Sequence, residues 1–561
     1  MIATSSRAPF PDEKQLRRWG AWILVGLSLL LLLPGNNLIP LIDRDEPRFA
    51  EATREMIVRH EWVIPYFNGE HRFDKPILIY WMMRGAYAFF GVNEFAARLP
   101  SVLCAALLVW LTFQVGARWL SAAVGFAAGF GLLTCVQMLM HGRSAVADMP
   151  MVVCVFAAHW SLFELLSASS SEGLWKWWTL FWTACGVGFL AKGPVAIVLP
   201  ALTLLFYRFV FWRKPVPWRR LRAEWGVPLF LLMVGSWGIP ALVLTHGDFF
   251  RVGIEKHVLQ RGFTSFEGHG AFAPYYYLLT AFLSLFPWIA FAGDTVVTVR
   301  RDWNAQNAFL LSWVVGTYLL FTCYLTKLPH YVLPAFPALF LMFGQAIQAT
   351  PTPSRVSKAW FWLVIVIGLI VTTALFAARW ELYRFPQLSG LGTAAAAATG
   401  MVLSLTLLAV CWRKRYSFAS MIYLLTLVLC IVVLGEGLRS VSPAVAVRGL
   451  AETLPPTTRC ASWRFAEPSL VFYTARYWDS LGSAREVKEF LNQPGPRLVV
   501  CQISETRLAQ FFRRTTLTRR LNSAASDVLA SISDAGIPSV QINGLNLAHA
   551  SWVDLQVYYR R

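Results

Sequence analysis

Residues 41–59 read LIDRDEPRFAEATREMIVR, so nine formal charges fall between Asp43 and Arg59, directly after an apolar run. Ionisable side chains at membrane depth are costly and usually face a polar cavity or a partner. Asp45 has company. HRFDKP (71–76) brings Asp74 and Lys75 to the head of another apolar run, and HGRSAVADMP (141–150) brings Arg143 and Asp148 to a membrane edge. FFRVGIEKHVLQRGFTSFEGHG (249–270) adds Lys256, His257, Arg261 and His269. TKLPHYVLPAFP (326–337) adds Lys327 and Tyr331, with Pro329, Pro334 and Pro337 interrupting regular helix. Several acids and several bases on one side of a bilayer predict a single polar chamber there.

Carboxylates beside Lys and Arg at a bilayer edge suit one kind of chemistry. The cations hold a phosphate whose lipid tail stays in the membrane. A carboxylate takes the proton of an attacking hydroxyl, or steadies an oxocarbenium-like sugar carbon. The lipid phosphate departs as an anion, which calls for positive charge and no acid. Taken alone, Asp74 with Lys75 reads more simply as a surface ion pair, and Glu51, Arg54 and Glu55 as the solvated face of a helix. The combination favours a chamber for sugar transfer from a polyprenyl phosphate.

The rest of the chain must position these groups. Of its 561 residues 56% are hydrophobic and only 14% charged, with a mean hydropathy of +0.50. That excludes an ordinary soluble protein and predicts a polytopic membrane protein. About 20 apolar residues cross a bilayer. Such runs occur near 20–42, 99–117, 121–140, 149–168, 177–193, 194–211, 226–245, 274–298, 308–325, 331–349, 359–378, 393–411 and 416–436, about 13 in all. The pair 177–193 and 194–211 is short and joined by Lys192-Gly193-Pro194. No small-residue cleavage site follows the first run, which predicts that it is retained. With the N-terminus (Arg7, Lys14, Arg17, Arg18) in the cytoplasm, alternate loops are basic: Arg118; Lys176; Arg213 to Arg222; Arg300 and Arg301; Arg355 and Lys358; Arg413 to Arg415. The charged motifs then share the outer side, in the loops 43–98 and 246–273. The expected fold is mainly α, a transmembrane region over 1–436 followed by an outer α/β domain over 437–561. In that tail LVFYT (470–474) and RLVVCQI (497–503) look strand-like, and SAREVKEFLNQPG looks helical. Residues 46–59 predict an amphipathic helix lying on the membrane, with Phe49, Ala52, Met56 and Ile57 inward.

The net charge of +19 fits cytoplasmic loops and attraction to anionic headgroups or phosphates. Nucleic acid is not expected, because no long basic segment is interleaved with aromatics. A nucleotide sugar is not expected either: the cytoplasmic loops are short and no Gly-rich loop follows a strand. Seven of nine cysteines lie in apolar runs, leaving Cys460 and Cys501 as a pair able to form a disulfide in an oxidising compartment. His257 and His269 are weak candidates for a divalent metal; their spacing fits no standard zinc motif, and no cofactor is expected.

At DRDEPRFAEATREM, EWVIPYFNGEHRFDKP, SAVADMP, KHVLQR and KLPHYVLPAFP the sequence resembles the GT-C membrane glycosyltransferases of the protein-mannosyltransferase-like superfamily, particularly the bacterial aminoarabinose transferases that modify lipid A. The resemblance implies Asp45 as principal catalytic carboxylate and Asp148 as a second acid of the same cavity. It implies Arg48, Lys75 and Arg261 as donor-phosphate ligands, and Tyr331 at the lipid phosphate or sugar, with Lys327 a further phosphate or acceptor contact. Phe49 stands where the family commonly has Tyr, and Arg72-Phe73-Asp74-Lys75-Pro76 where it has Tyr-Phe-Glu-Lys-Pro, at sugar- and phosphate-contacting positions. The implied reaction moves 4-amino-4-deoxy-L-arabinose from undecaprenyl phosphate to lipid A or another periplasmic acceptor, with inversion, in the bacterial inner membrane. Two other readings stay open. One is a mannosyl or hexosyl transferase with the same donor class; the other is a transporter of polyprenyl-linked sugars. A transporter places its charges near the midplane and shows repeated halves, whereas these charges gather at one edge.

Overall fold

The computed structural model describes residues 13–170, 172–253, 274–349, 437–507 and most of 519–561, together with Ala359, Leu363 and Val366. The membrane part opens with α1 (Glu13–Leu32), then α2 (Asp45–Val58), a short hairpin of β1 (Tyr66–Phe67) and β2 (Glu70–His71), and α3 (Leu78–Phe90). Next come α4 (Glu94–Trp119), α5 (Ala122–Thr134), α6 (Val136–His141), α7 (Asp148–Ser167), α8 (Leu174–Lys192), α9 (Val195–Phe206) and α10 (Ala223–Leu244). Then follow α11 (Tyr276–Ser284), α12 (Ala292–Arg301), α13 (Ala305–Cys323), a 3-10 segment (Pro329–Ala335) and α14 (Phe336–Ala349). Helix starts follow local chemistry. Asn93, Ser121 and Asn304 accept the backbone N–H groups of Ala96, Val124 and Asn307, capping α4, α5 and α13. Helices α4 and α5 touch backbone to backbone: a Cβ on Gly116 would lie 2.5 Å from the Gly125 Cα, so neither position has room for a side chain.

Among the described residues five helices are long and apolar enough to cross a membrane: Glu94–Trp119, Asp148–Ser167, Trp218–Leu244, Ala305–Cys323 and Pro329–Ala349. The expected run 274–298 becomes α11 and, after the 3-10 turn Trp288–Phe291, α12, with a bend of 113° at the break between Ser284 and Trp288, and makes a sixth if the pair is one span. The run 121–140 breaks at Cys135, whose backbone is extended, and α5 and Val195–Phe211 are shorter apolar helices. Hydropathy registers apolar length but not these backbone breaks. The candidates from 359 onward lie outside the described residues, apart from the three isolated positions.

The α2 helix forms where the charge pattern places it and buries Phe49, Ala52 and Met56 as expected. Its acids do not face solvent, however. Glu51 is fully buried and grips Arg54 at 2.8 and 2.5 Å, and Glu55 accepts the N–H of Asn68 (2.6 Å) and Gly69 (3.1 Å). The solvated-face expectation fails because these contacts replace water, and a layer from the far end of the chain packs against the same helix.

That layer contains α15 (Pro443–Ala451), β3 (Arg459–Trp463), α16 (Pro468–Thr474), β4 (Trp478–Leu481), α17 (Ala484–Asn492) and β5 (Arg497–Arg507). It ends with β6 (Arg519–Arg520), α18 (Ser523–Asp534), β7 (Ser539–Asn546) and β8 (Ser551–Arg560). The strands run β4-β3-β5-β8-β7, with β6 added to β5; β4, β3 and β5 are parallel, and β8 is antiparallel to both β5 and β7. The strand expected at 497–503 and the helix in SAREVKEFLNQPG are present, but LVFYT folds as helix α16. Pro468 opens it, and the Asp43 carboxylate, distant in sequence, accepts the Ser469 N–H at its start (2.8 Å). Cys460 and Cys501 are both free and buried, not bridged. Cys501 pairs across the sheet with Trp463, three residues along β3 from Cys460, so the two thiols leave opposite faces of the sheet.

One hydrophobic cluster runs through Phe49, Ala52 and Met56 of α2, Ile79, Tyr80 and Met83 of α3, and Leu470, Phe472, Trp478, Leu498 and Val500 of the C-terminal layer. A second fills the helix bundle. The segment of α2 and α3 and the sheet therefore share a core distinct from that of the bundle.

Candidate active site

The start of α2 is locked by the residue next to Asp45. Glu46 is buried and accepts from Arg98 Nε and Nη2 (3.0 and 2.8 Å), from the Ala145 N–H (2.7 Å) and from the Ile42 N–H (2.8 Å). Arg98 spends its remaining donors on the carbonyls of Asn36, Ile39 and Pro40. A charge pair this deep is viable only because every lone pair and proton has a partner. It fixes α2 against α4 and the loop before α7. Successive helical residues point about 100° apart, so Glu46 anchors inward while Asp45 is left exposed at the adjoining cavity.

That cavity, of about 310 Å³, is lined by Asp45, Arg48, Phe49, Asp74, Lys75, Asp148 and Tyr331. Side chains separated by up to 286 positions, from Asp45 to Tyr331, thus meet in one place, as the motifs predict. Arg261, His257 and His269 lie outside the described residues. Lys327 sits behind the wall rather than on it: it is buried, and its ammonium donates to the carbonyls of Thr322 (2.9 Å) and Tyr324, closing the end of α13. Its neighbours Thr326 and Leu328 line the cavity instead. Among the described residues no group of three or more His, Cys, Asp or Glu side chains is arranged to hold a metal ion.

The polar lining falls into two clusters. In the first, Arg72 bonds Asp74 at 2.9 Å and the Tyr80 hydroxyl at 3.1 Å, with its guanidinium 5.1 Å from the Phe49 ring centroid. Burial works against the Arg72 charge, but Tyr80, Asp74 and Asp45 more than offset it and hold its pKa above the ordinary guanidinium value. The two departures noted in the motifs, Phe49 and Arg72, are therefore in contact: the cation stacks over the Phe49 ring. Lys75 donates to the Asp74 carbonyl at 3.1 Å. In the second cluster, Lys192 Nζ lies 2.5 Å from Asp148 Oδ1 and 5.5 Å from the Tyr331 ring centroid, and His330 Nε2 lies 3.8 Å from the same Asp148 oxygen.

Sequence reasoning passed over Arg72, Lys192 and His330 as site residues. Lys192 was visible as a charge between two apolar runs, immediately before Gly193 and Pro194, and was read only as a connector. It ends α8, where Gly193 takes a positive φ of 78° and turns the chain. His330 lies within KLPHYVLP, where the breaking of the helix by Pro329 presents it at the cavity. Three carboxylates (Asp45, Asp74, Asp148) face four fixed cations (Arg48, Arg72, Lys75, Lys192), a balance that favours a bound anion. Much of the remaining lining is apolar: Val195, Val234, Trp237, Leu242, Phe249 and Phe321. Trp237 is held by a bond to the Val63 carbonyl (2.9 Å), and its ring meets Phe249 edge-on at 5.0 Å.

Asp43, two residues before Asp45, sets a pH dependence. Its carboxylate accepts from Ser469 N (2.8 Å) and Ser469 Oγ (2.6 Å). Burial, with the Glu467 carboxylate nearby, pushes its pKa up to about 7, against the lowering by Ser469 and Arg48. The unfolded chain releases this proton near the ordinary aspartate value of about 3.9. The folded chain keeps it until about 7, so the stability it contributes is complete below about pH 4 and lost as pH rises through 7. Asp43→Asn, uncharged throughout, should flatten that part of the curve. Its Tm in detergent should fall less than wild type between about pH 5 and about pH 8.

The architecture defines a class. It is the fold of the GT-C membrane glycosyltransferases, with the charged loop after α1, the helix bundle and the C-terminal α/β layer in the expected order. The Dolichyl-phosphate-mannose-protein mannosyltransferase family matches residues 74–237. The chain is similar to undecaprenyl phosphate-alpha-4-amino-4-deoxy-L-arabinose arabinosyl transferases. It is 28% identical to that of Enterobacter sp. (strain 638) over 386 residues, 65% of this chain and 66% of the relative. To that of Erwinia tasmaniensis it is 30% identical over 374 residues, 64% of this chain and 65% of the relative. The chain thus spans just under two thirds of the length of these relatives. Among solved structures, ArnT from Cupriavidus metallidurans bound to undecaprenyl phosphate superposes with a TM-score of 0.75 at 19% identity, covering 95% of this chain and 97% of that one. The resemblance carried by the motifs is borne out.

Proposed function

We propose that this chain is an integral membrane glycosyltransferase that moves 4-amino-4-deoxy-L-arabinose from undecaprenyl phosphate to lipid A. The observation that carries the reading is the meeting of Asp45, Arg48, Lys75 and Asp148 in one cavity whose remaining lining is largely apolar. The polar side suits a sugar phosphate and the apolar side suits the first isoprene units of its carrier. Arg48 and Lys75, with Arg261, hold the donor phosphate, and Tyr331 flanks it. The bond between the anomeric carbon and the phosphate oxygen breaks, and its electron pair leaves with the lipid phosphate, stabilised by these cations. The acceptor oxygen attacks from the opposite face, so the configuration inverts. A lipid A phosphate attacks as an anion, and Asp45 then stabilises the developing positive charge on the sugar. A hydroxyl acceptor passes its proton to Asp45. Asp148 orders the sugar from the far side of the cavity.

In this reading the N-terminus lies in the cytoplasm of a bacterial inner membrane, about 13 spans cross it, and the cavity and the 437–561 domain face the periplasm. The alternation of basic loops and the gathering of charge at one bundle end support that orientation. The test is expression in a strain lacking its own transferase, followed by mass spectrometry of lipid A. A shift by one aminopentose is expected. A hexose shift overturns the choice of sugar, and an unchanged spectrum with labelled donor left unconsumed in isolated membranes overturns the activity.

A further inference from the structure

Among the described residues the C-terminal layer contributes none that line the cavity, yet it holds the chain on both sides of the helix that carries Asp45. Before α2, the Leu41 N–H donates to the Tyr473 hydroxyl (2.9 Å), which donates in turn to Glu94 (3.2 Å). Asp43 accepts both the N–H and the hydroxyl of Ser469. Arg439 bonds the Asn37 carbonyl (2.7 Å) and Glu94 (3.2 Å). After α2, the Asn68 side chain pairs with the backbone of Trp478, accepting its N–H (2.8 Å) and donating to its carbonyl (2.9 Å). Asn68 is tied back to the end of α2 by Glu55. Between these fixed points the inward face of α2 shares one apolar cluster with Leu470, Phe472 and Trp478.

The arrangement has a physical consequence. A short helix on a membrane surface, with polar linkers on either side, is free to tilt and slide. Here Arg98 of α4 and the C-terminal layer grip its leading linker, and the same layer grips its trailing turn. We infer that the C-terminal α/β layer is a positioning clamp for Asp45, with Ser469, Tyr473 and Trp478 as its jaws, rather than only a cover or an acceptor-docking surface. The inference rests on the proposed role of Asp45. None of the three touches the cavity, so each acts through α2. A misplacement of about 1 Å at a reacting group can cost about 10²-fold in rate, which makes such a clamp worth its length of chain.

The groups around the Asp43 jaw are Glu467, Arg48, Arg44 and His549. Arg44 lies 3.4 Å from His549, and His549 lies 3.4 Å from Glu467. These surroundings make Ser469 the cleanest place to open the clamp, because its substitution changes no charge.

The test combines Ser469→Ala with Tyr473→Phe in the full-length chain and reads two quantities. Hydrogen–deuterium exchange over residues 41–58 should speed up while the bundle helices keep their protection and Tm changes little. The kcat for transfer should fall about tenfold with donor KM unchanged, as expected for a mispositioned carboxylate. Ser469→Thr, which keeps the hydroxyl, should match wild type in both. Unchanged exchange over 41–58 overturns the clamp. Faster exchange with unchanged kcat, or a raised KM with kcat intact, overturns the positioning role. If wild type transfers no sugar, the proposed function fails separately, and the exchange measurement still decides whether the layer holds α2.

Discussion

Asp45→Asn is expected to abolish sugar transfer, with a loss of about 10²–10⁴-fold, while the protein inserts, folds and binds its lipid donor as before. The side chain is exposed at the cavity and makes no hydrogen bond or ion pair among the described residues, in contrast to its neighbour Glu46, which is buried under Arg98. The amide keeps the shape and removes the charge. Loss of transfer with unchanged Tm and donor KM therefore reports on the carboxylate itself. The residual rate carries further information. If the acceptor is a phosphate, it is already an anion and needs no base, so Asp45 acts only on the charge developing at the sugar. If the acceptor is a hydroxyl, Asp45 also takes its proton in the transfer step. A solvent deuterium isotope effect on kcat, expected for the hydroxyl and not for the phosphate, separates the two, and a fully active Asp45→Asn protein overturns the assignment of the site.

How much of this was legible in the residues follows from what kind of information each feature needs. The chamber was legible because charge in an apolar chain is conspicuous: Asp45, Lys75 and Asp148 each stand at the margin of a hydrophobic run, and all three line the cavity. The α2 helix was legible from its apolar spacing. Its acids were misread because Glu51 is buried against Arg54 and Glu55 holds the Asn68-Gly69 turn, burial and tertiary contact that the helical charge pattern does not announce. Helix α16 was misread as a strand for the same reason. Leu470 to Thr474 are strand-prone in isolation, but Pro468 and the Asp43 carboxylate start a helix there. Tertiary context overrides propensity in short segments. Lys192 shows the reverse error. A Lys before Gly-Pro between two apolar runs was plain to see, yet its role depends on α8 ending against the start of α7, a packing fact that hydropathy does not encode.

The Asp148–Lys192 pair should separate stability from activity. Both side chains are largely buried, at 9% and 16% exposure, and lie 2.5 Å apart where the end of α8 meets the start of α7. Removing one partner leaves the other charge without its closest counter-ion in a poorly solvated place, which typically costs about 3–5 kcal/mol. Lys192→Met is expected to lower Tm markedly, since the His330 imidazole, 3.8 Å from that Asp148 oxygen, carries no fixed charge to replace the ammonium. Asp148→Asn is expected to be milder, because an ammonium on a long stem can turn toward the open cavity and its water. The double variant Asp148→Asn with Lys192→Met should regain most of the stability, as paired removal of buried charges usually does. Its activity should not return. The pair also shapes the cavity field and its sugar-facing wall, so transfer should remain about 10²-fold down in all three proteins. Thermal unfolding in detergent, read beside donor turnover, tests both halves. Recovery of turnover along with Tm in the double variant would make the pair a structural staple and remove Asp148 from the reaction.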